Sequence, residues 1–190
     1  DELLDLYSDY LISAFGQTTG TGLAALLEGQ VSHDRVQRFL AGPPATSAEL
    51  WRRVKPHVRV IQQAEAALLV DDSIAEKPYS DENDIVCWHY DHARGHVVKG
   101  INFMSALYHS QGVSLPVGFA LIAKTEHYQD KKTGQPKRRS PIGKNELYQQ
   151  LLTQAVANQI PFKWVLNDVW FASADNMRFV KHTLHKEFVM

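Results

Sequence analysis

Two apolar runs in this chain each end in aspartate: Ala67-Leu68-Leu69-Val70-Asp71-Asp72-Ser73, and Phe162-Lys163-Trp164-Val165-Leu166-Asn167-Asp168. Each run reads as a short buried strand. An unpaired carboxylate in such a setting costs several kcal/mol, so two of them need a chemical reason. If the two strands are neighbours in one sheet, about 4.8 Å apart, aspartates distant in sequence meet at the strand ends. Asp71 and Asp72 point to opposite faces of their strand, so only one of them is expected to join Asp168. Asp72, followed by the small Ser73, is the choice; Asp71 is left to pair with a basic side chain or to mark the strand end. Two adjacent carboxylates suit magnesium, which takes one or two protein carboxylates and fills its other positions with water and substrate phosphate. The alternative is that these carboxylates only terminate strands.

The hydrophobic period divides the chain. Over residues 1–63 it is helical, with apolar positions at Leu3, Leu4, Tyr7, Tyr10, Leu11 and Phe15, then Leu23, Leu26 and Leu27, then Val36, Phe39 and Leu40, then Leu50, Trp51, Val54, Val58 and Ile61. Four helices fit. Gly16, Gly20 and Gly22 punctuate the first gap, Ala41-Gly42-Pro43-Pro44 stops the third helix, and Thr46 or Ser47 caps the fourth. Residues 22–40 have the layout of a helix-turn-helix whose second helix presents Arg35 and Arg38 to a DNA groove. A plain helical hairpin fits the same segment. From residue 64 onward, 85–90, 97–108 and 115–124 read as an antiparallel meander, 146–158 as a helix, 162–168 as a strand, and 173–188 as a last helix. The order predicts an α/β layer with helices covering a mixed sheet.

Charge narrows the choice of partner. With 20 basic and 21 acidic residues in 190, nucleic-acid binding must come from local patches rather than bulk charge. One such patch spans residues 131–144, where Lys131, Lys132, Lys137, Arg138, Arg139 and Lys144 occur with no acidic residue; it reads as a mobile loop able to reach phosphates. His89, His92 and His96 lie across a predicted turn rather than on one helical face, so they read as hairpin side chains facing solvent or DNA, not as a zinc site. The single cysteine, Cys87, sits in an apolar run and reads as a buried structural thiol. No apolar stretch reaches membrane-spanning length and the N-terminus lacks a signal-peptide pattern, which predicts a cytoplasmic protein with no membrane partner.

The string Val70-Asp71-Asp72-Ser73-Ile74-Ala75-Glu76-Lys77-Pro78-Tyr79, with the segment running from Trp88 to Asn102, resembles the catalytic domain of bacterial insertion-sequence DDE transposases, in particular the insertion-sequence-four superfamily. Val165-Leu166-Asn167-Asp168-Val169-Trp170-Phe171-Ala172-Ser173-Ala174-Asp175-Asn176 is similar to that family's second aspartate with its following aromatic pair and helix. The resemblance implies a ribonuclease H-like fold over residues 64–190, a helical DNA-binding-like region over 1–63, and Mg2+ (or Mn2+) held by Asp72 and Asp168. It also implies DNA as the partner, both transposon ends and target, and admits a homo-oligomer. The chemistry implied is hydrolysis of one DNA strand, then attack of the freed 3′ hydroxyl on a second phosphodiester.

The family's third ligand, a glutamate within a Tyr, Arg and Lys pattern, has no match. The sole glutamate after Asp168 is Glu187, which reads as a solvated or core-edge helix residue. The chain is therefore expected to be a truncated transposase, defective alone. A non-catalytic DNA-binding protein that interferes with a full-length transposase is the alternative. A ribonuclease H-like nuclease with Glu146 or Asp175 as third carboxylate is another.

Overall fold

The computed structural model describes residues 2–16, 18–43, 45–92 and 94–190; Pro44 of the expected helix stop and Ala93 of the expected hairpin turn lie outside them. Two compact units divide the chain, Asp1–Ala45 and Thr46–Met190.

In the first unit, α1 (Glu2–Ser13), α2 (Gly20–Leu26) and α3 (His33–Leu40) enclose a small core of Leu3, Leu23, Val31 and Val36. Thr19 caps α2 by accepting from Gly22 N–H at 3.0 Å, so Gly20 and Gly22 belong to the helix rather than to the gap before it. A side chain at Gly22 would collide with the Tyr10 hydroxyl, which explains that glycine. Between α2 and α3 the chain turns through Glu28 and Gly29, both at positive φ, and Ser32 then caps α3 by accepting from Arg35 N–H. The expected helix-turn-helix layout is present as helices and turn. Arg35 and Arg38 are exposed.

The second unit begins with α4 (Ser47–Ile61), capped by Thr46. The unit boundary at 45/46 differs from the expected one at 63/64 because Trp51 and Val58 of α4 are built into the core of the sheet unit. The strands are β1 (Ala67–Glu76), β2 (Val86–Asp91), β3 (His96–Ser110), β4 (Val113–Leu121), β7 (Trp164–Leu166) and β8 (Glu187–Val189). A hairpin of β5 (Glu126–Gln129) and β6 (Pro136–Arg139) stands apart from them. Long strand β3 pairs antiparallel with β1 from Gly100 to His109 on one side, and on the other with β2 through its first half and with β4 through its second. On the other side of β1, β7 and then β8 pair in parallel, giving the order β4-β3-β1-β7-β8 with β2 also on β3. This is a mixed α/β sheet, with the expected first and fourth strands as neighbours.

Alternation along β1 and β3 aims Leu68, Val70, Met104, Ala106 and Tyr108 at one face, where α4 and α5 (Lys144–Ala157) cover them. Leu147, Tyr148, Leu151, Leu152 and Ala155 of α5 complete that layer.

Two segments differ from the sequence expectation. The basic stretch is not a loop: Lys137, Arg138 and Arg139 lie on β6, and Asp130 closes the hairpin by accepting from the N–H groups of Lys132 and Thr133. The last segment is not one helix to residue 188. After α6 (Ala174–Arg178) and a π-turn (Phe179–Thr183), His185 at φ 53° leaves the helical region, and β8 pairs with β7. Phe188 thereby packs against the core, and Glu187 is a strand residue ion-paired with Lys181. Among the described residues, no helix is long and apolar enough to cross a membrane.

Candidate active site

Parallel pairing of β1 with β7 stops at Leu69 and Leu166, so beyond that point the edge of β1 is open. A cleft of about 470 Å³ occupies the opening, and Asp71, Asp72 and Asp168 all border it. Asp71 and Asp72 leave opposite faces of β1, as expected, and with no strand beside them on that edge both border the same cleft. Two residues past the last strand pair lie Asp71 on one side and Asp168 on the other. Burial, and then the charges of Asp72 and Asp168, push the Asp71 carboxyl above its usual range, against the opposing pull of the Asp72 N–H bond and Lys144.

The basic partner expected for Asp71 instead faces Asp72. Lys144, the first residue of α5, places its Nζ 2.6 Å from Asp72 Oδ2 and 5.1 Å from the centre of the Trp170 ring. Its role was hidden in the sequence because it closes the basic stretch, where it reads as one loop cation among six. Only the docking of α5 on the sheet separates it from the others. Asp91 also borders the cleft, from the end of β2, while Arg94 pairs with Glu76 and lies 3.7 Å from Asp91.

Asp168 is held by a supporting layer. Its carboxylate caps the 3-10 turn Val169–Phe171, accepting from Trp170 N–H at 2.8 Å. Tyr148 donates its hydroxyl to Asn167 Oδ1 at 2.8 Å and stacks on Phe171, with centroids 5.3 Å apart; burial pushes its phenol well above the ordinary value, so it remains a neutral donor. Fully buried Asn176 donates to Phe171 O and Asn145 Oδ1 and accepts from Gln149 Nε2. Both anchors run to α5, so one helix fixes Lys144 on the cleft and the loop that carries Asp168.

The remaining sequence candidates lie elsewhere. Glu146 and Asp175 do not border the cleft, and Asp175 pairs with Arg178. Among the described residues, no group of three or more His, Cys, Asp or Glu is placed to hold a metal ion. On the β5–β6 hairpin Lys137 pairs with Asp130, Arg138 with Asp84 and Glu82, and Arg139 with Glu126. Acidic residues outside the basic stretch thus neutralise much of it, while Lys131 and Lys132 form no ion pair among the described residues.

The expected solvent-facing histidines divide. His92 lies edge-on to Tyr90, but His89 is only 4% exposed, its Nε2 3.2 Å from Cys87 Sγ, because alternation along β2 turns Cys87 and His89 inward. Burial, then Lys124 and Lys144, lower the imidazole to about 4, and burial raises the Cys87 thiol. Native His89 stays neutral while the unfolded chain takes a proton near pH 6.5. Stability is thus fully present above that pH and lost on descending toward 4, by roughly 3 kcal/mol in all. Urea unfolding of wild type should weaken between pH 7 and 5 more steeply than that of His89→Gln; parallel curves would remove His89 as the cause.

Residues 2–190 match the family model described as DDE superfamily endonuclease. No curated protein sequence matches the chain. Two solved structures are similar at 15% identity: a Mos1 transposase paired-end complex with left transposon end, at a TM-score of 0.29, and a pre-cleavage Mos1 transpososome, at 0.27. Each likeness covers 99% of this chain and 58% of the other, so this chain spans less than two thirds of their length. The fold rests on the sheet order rather than on these scores.

Proposed function

The chain belongs to the DDE superfamily of endonucleases, and we propose that it serves DNA transposition, with phosphodiester cleavage and strand transfer at the cleft bordered by Asp72 and Asp168. The observation that carries this reading is the convergence of Asp71, Asp72 and Asp168 where β1 and β7 part.

Endonucleases of this superfamily generally use divalent metals. The donor set fits one: carboxylate oxygens are hard ligands, and Asp71, raised first by burial and then by the charges of Asp72 and Asp168, borders the same cleft. Asp72 and Asp168 would hold Mg2+ or Mn2+, whose chemistry is to activate a nucleophile and neutralise charge on the leaving oxygen. Lys144 bonds Oδ2 of Asp72 and leaves Oδ1 open to a ligand. Its charge also favours a substrate phosphate at the cleft mouth. Tyr148 and Asn176 keep the Asp168 loop in place. With no three-ligand group among the described residues, the site holds its ion weakly and turns over slowly. DNA is engaged by Arg35 and Arg38 of α3 and by the β5–β6 hairpin, where Lys131 and Lys132 are the cations left to meet phosphates.

The test is nicking of a supercoiled plasmid carrying a cognate transposon end, with Mg2+ or Mn2+. Slow, metal-dependent nicking that Asp72→Ala eliminates is the expected result. Nicking that persists unchanged in Asp72→Ala overturns the site. Robust nicking abolished by Asp72→Ala keeps the site and removes the slow-turnover claim. Duplex binding without any nicking favours the second reading, a DNA-binding protein that does not cut, for which the Lys144–Asp72 ion pair across the cleft is the supporting observation.

A further inference from the structure

The carboxylate cleft is not the largest in the sheet unit. A second cleft of about 630 Å³ opens between edge strand β2 and the β5–β6 hairpin, bordered by Trp88, Lys124, His127, Tyr128, Lys137 and Arg138. Two of its aromatic side chains remain open, Trp88 at 51% and Tyr128 at 40% exposure. Tyr and Trp are enriched at binding surfaces, where an apolar ring and a polar edge are both used. The Arg139 guanidinium lies over the Tyr128 ring, 5.5 Å from its centre, and helps fix that ring.

The cations around the cleft are not equivalent. Lys137 is locked by Asp130, and Arg138 by Asp84 and Glu82. Lys124 donates to the Trp88 carbonyl at 2.6 Å and has no carboxylate partner among the described residues. A ligand entering here meets aromatic faces and one uncompensated ammonium. Stacking faces beside a free cation are what single-stranded nucleic acid needs, since every base has a π face and every link a phosphate. Strand β2 joins the two clefts: Trp88 borders this one and Tyr90, two residues on and about 7 Å away, borders the carboxylate cleft.

We infer that this cleft receives an unpaired base of the DNA strand being processed, stacked against Trp88 and Tyr128 with its phosphate at Lys124. The assignment rests on the DNA-processing reading of the carboxylate cleft and adds a subsite to it. Displacing a base from the duplex exposes the adjoining backbone, and a subsite on β2 would hold a strand that continues several nucleotides on toward the carboxylate cleft.

Fluorescence anisotropy with a labelled oligothymidine of about 15 nucleotides, and with a hairpin duplex of matched length, tests this. Trp88→Ala and Tyr128→Ala are each expected to weaken single-strand binding about tenfold and to change duplex binding less than about twofold, with Trp88→Phe close to wild type. Lys124→Gln should weaken single-strand binding and flatten its salt dependence. Single-strand binding indifferent to both alanine variants overturns the proposal while leaving the carboxylate site untouched. Loss in Trp88→Phe equal to that in Trp88→Ala also overturns it, because a phenyl ring still stacks. Failure of wild type to bind either probe would sink the DNA reading itself, and the subsite with it.

Discussion

Asp72→Ala should lower the affinity for Mn2+ at least about tenfold, and Lys144→Met should raise it severalfold, in isothermal titration of the two variants against wild type. The opposite signs follow from one ion pair. Asp72 and Lys144 are each about one-fifth exposed and 2.6 Å apart, so the ammonium competes with any cation for the same carboxylate. Two unit charges 4 Å apart interact by about 4 kcal/mol at an effective dielectric of 20, and partial exposure reduces that, which leaves room for a tenfold effect of about 1.4 kcal/mol. Asp168→Ala should match Asp72→Ala. Asp71→Ala discriminates between the two neighbours: a loss larger than that of Asp72→Ala would move the metal to Asp71 and Asp168, which lie level across the strand gap.

Tyr148→Ala is expected to destabilise the chain by about 3 to 5 kcal/mol, the cost of removing a fully buried aromatic side chain from a packed layer. Tyr148→Phe should cost only about 1 to 2 kcal/mol, since it keeps the stack on Phe171 and loses the bond to Asn167. If Tyr148 fixes the strand end that carries Asp168, Tyr148→Phe also weakens Mn2+ binding more than its stability cost would suggest. A phenylalanine variant with wild-type metal affinity would confine Tyr148 to packing. Guanidinium unfolding and titration on the same samples separate the two contributions.

Much of this was legible in the sequence, for reasons that differ along the chain. The runs ending at Asp72 and Asp168 are short, continuous and apolar, so burial alone defines them as strands and their pairing follows from the sheet they share. Thr46, one of the two expected caps of α4, marked a helix start because a cap is a local hydrogen bond. What escaped depends on contacts distant in sequence. The helical pattern over the last residues is genuine up to Thr183, but pairing with β7 decides the fate of 187–189, and that partner is invisible to local periodicity. Asp71 also borders the cleft because β7 ends before reaching it, and local alternation does not reveal where a neighbouring strand stops. Lys144 and the pairing of Arg138 with Asp84 likewise belong to tertiary structure, as does the burial of His89.

The central claim is that Asp72 and Asp168 together hold a divalent ion, and anomalous scattering from crystals grown with Mn2+ tests it most directly. The account predicts one anomalous peak in the cleft, about 2.0 to 2.2 Å from a carboxylate oxygen of each residue, with Lys144 displaced or confined to Oδ2 of Asp72. An ordered Mn2+ held by other side chains, or an empty cleft at a concentration where titration shows saturation, would contradict it.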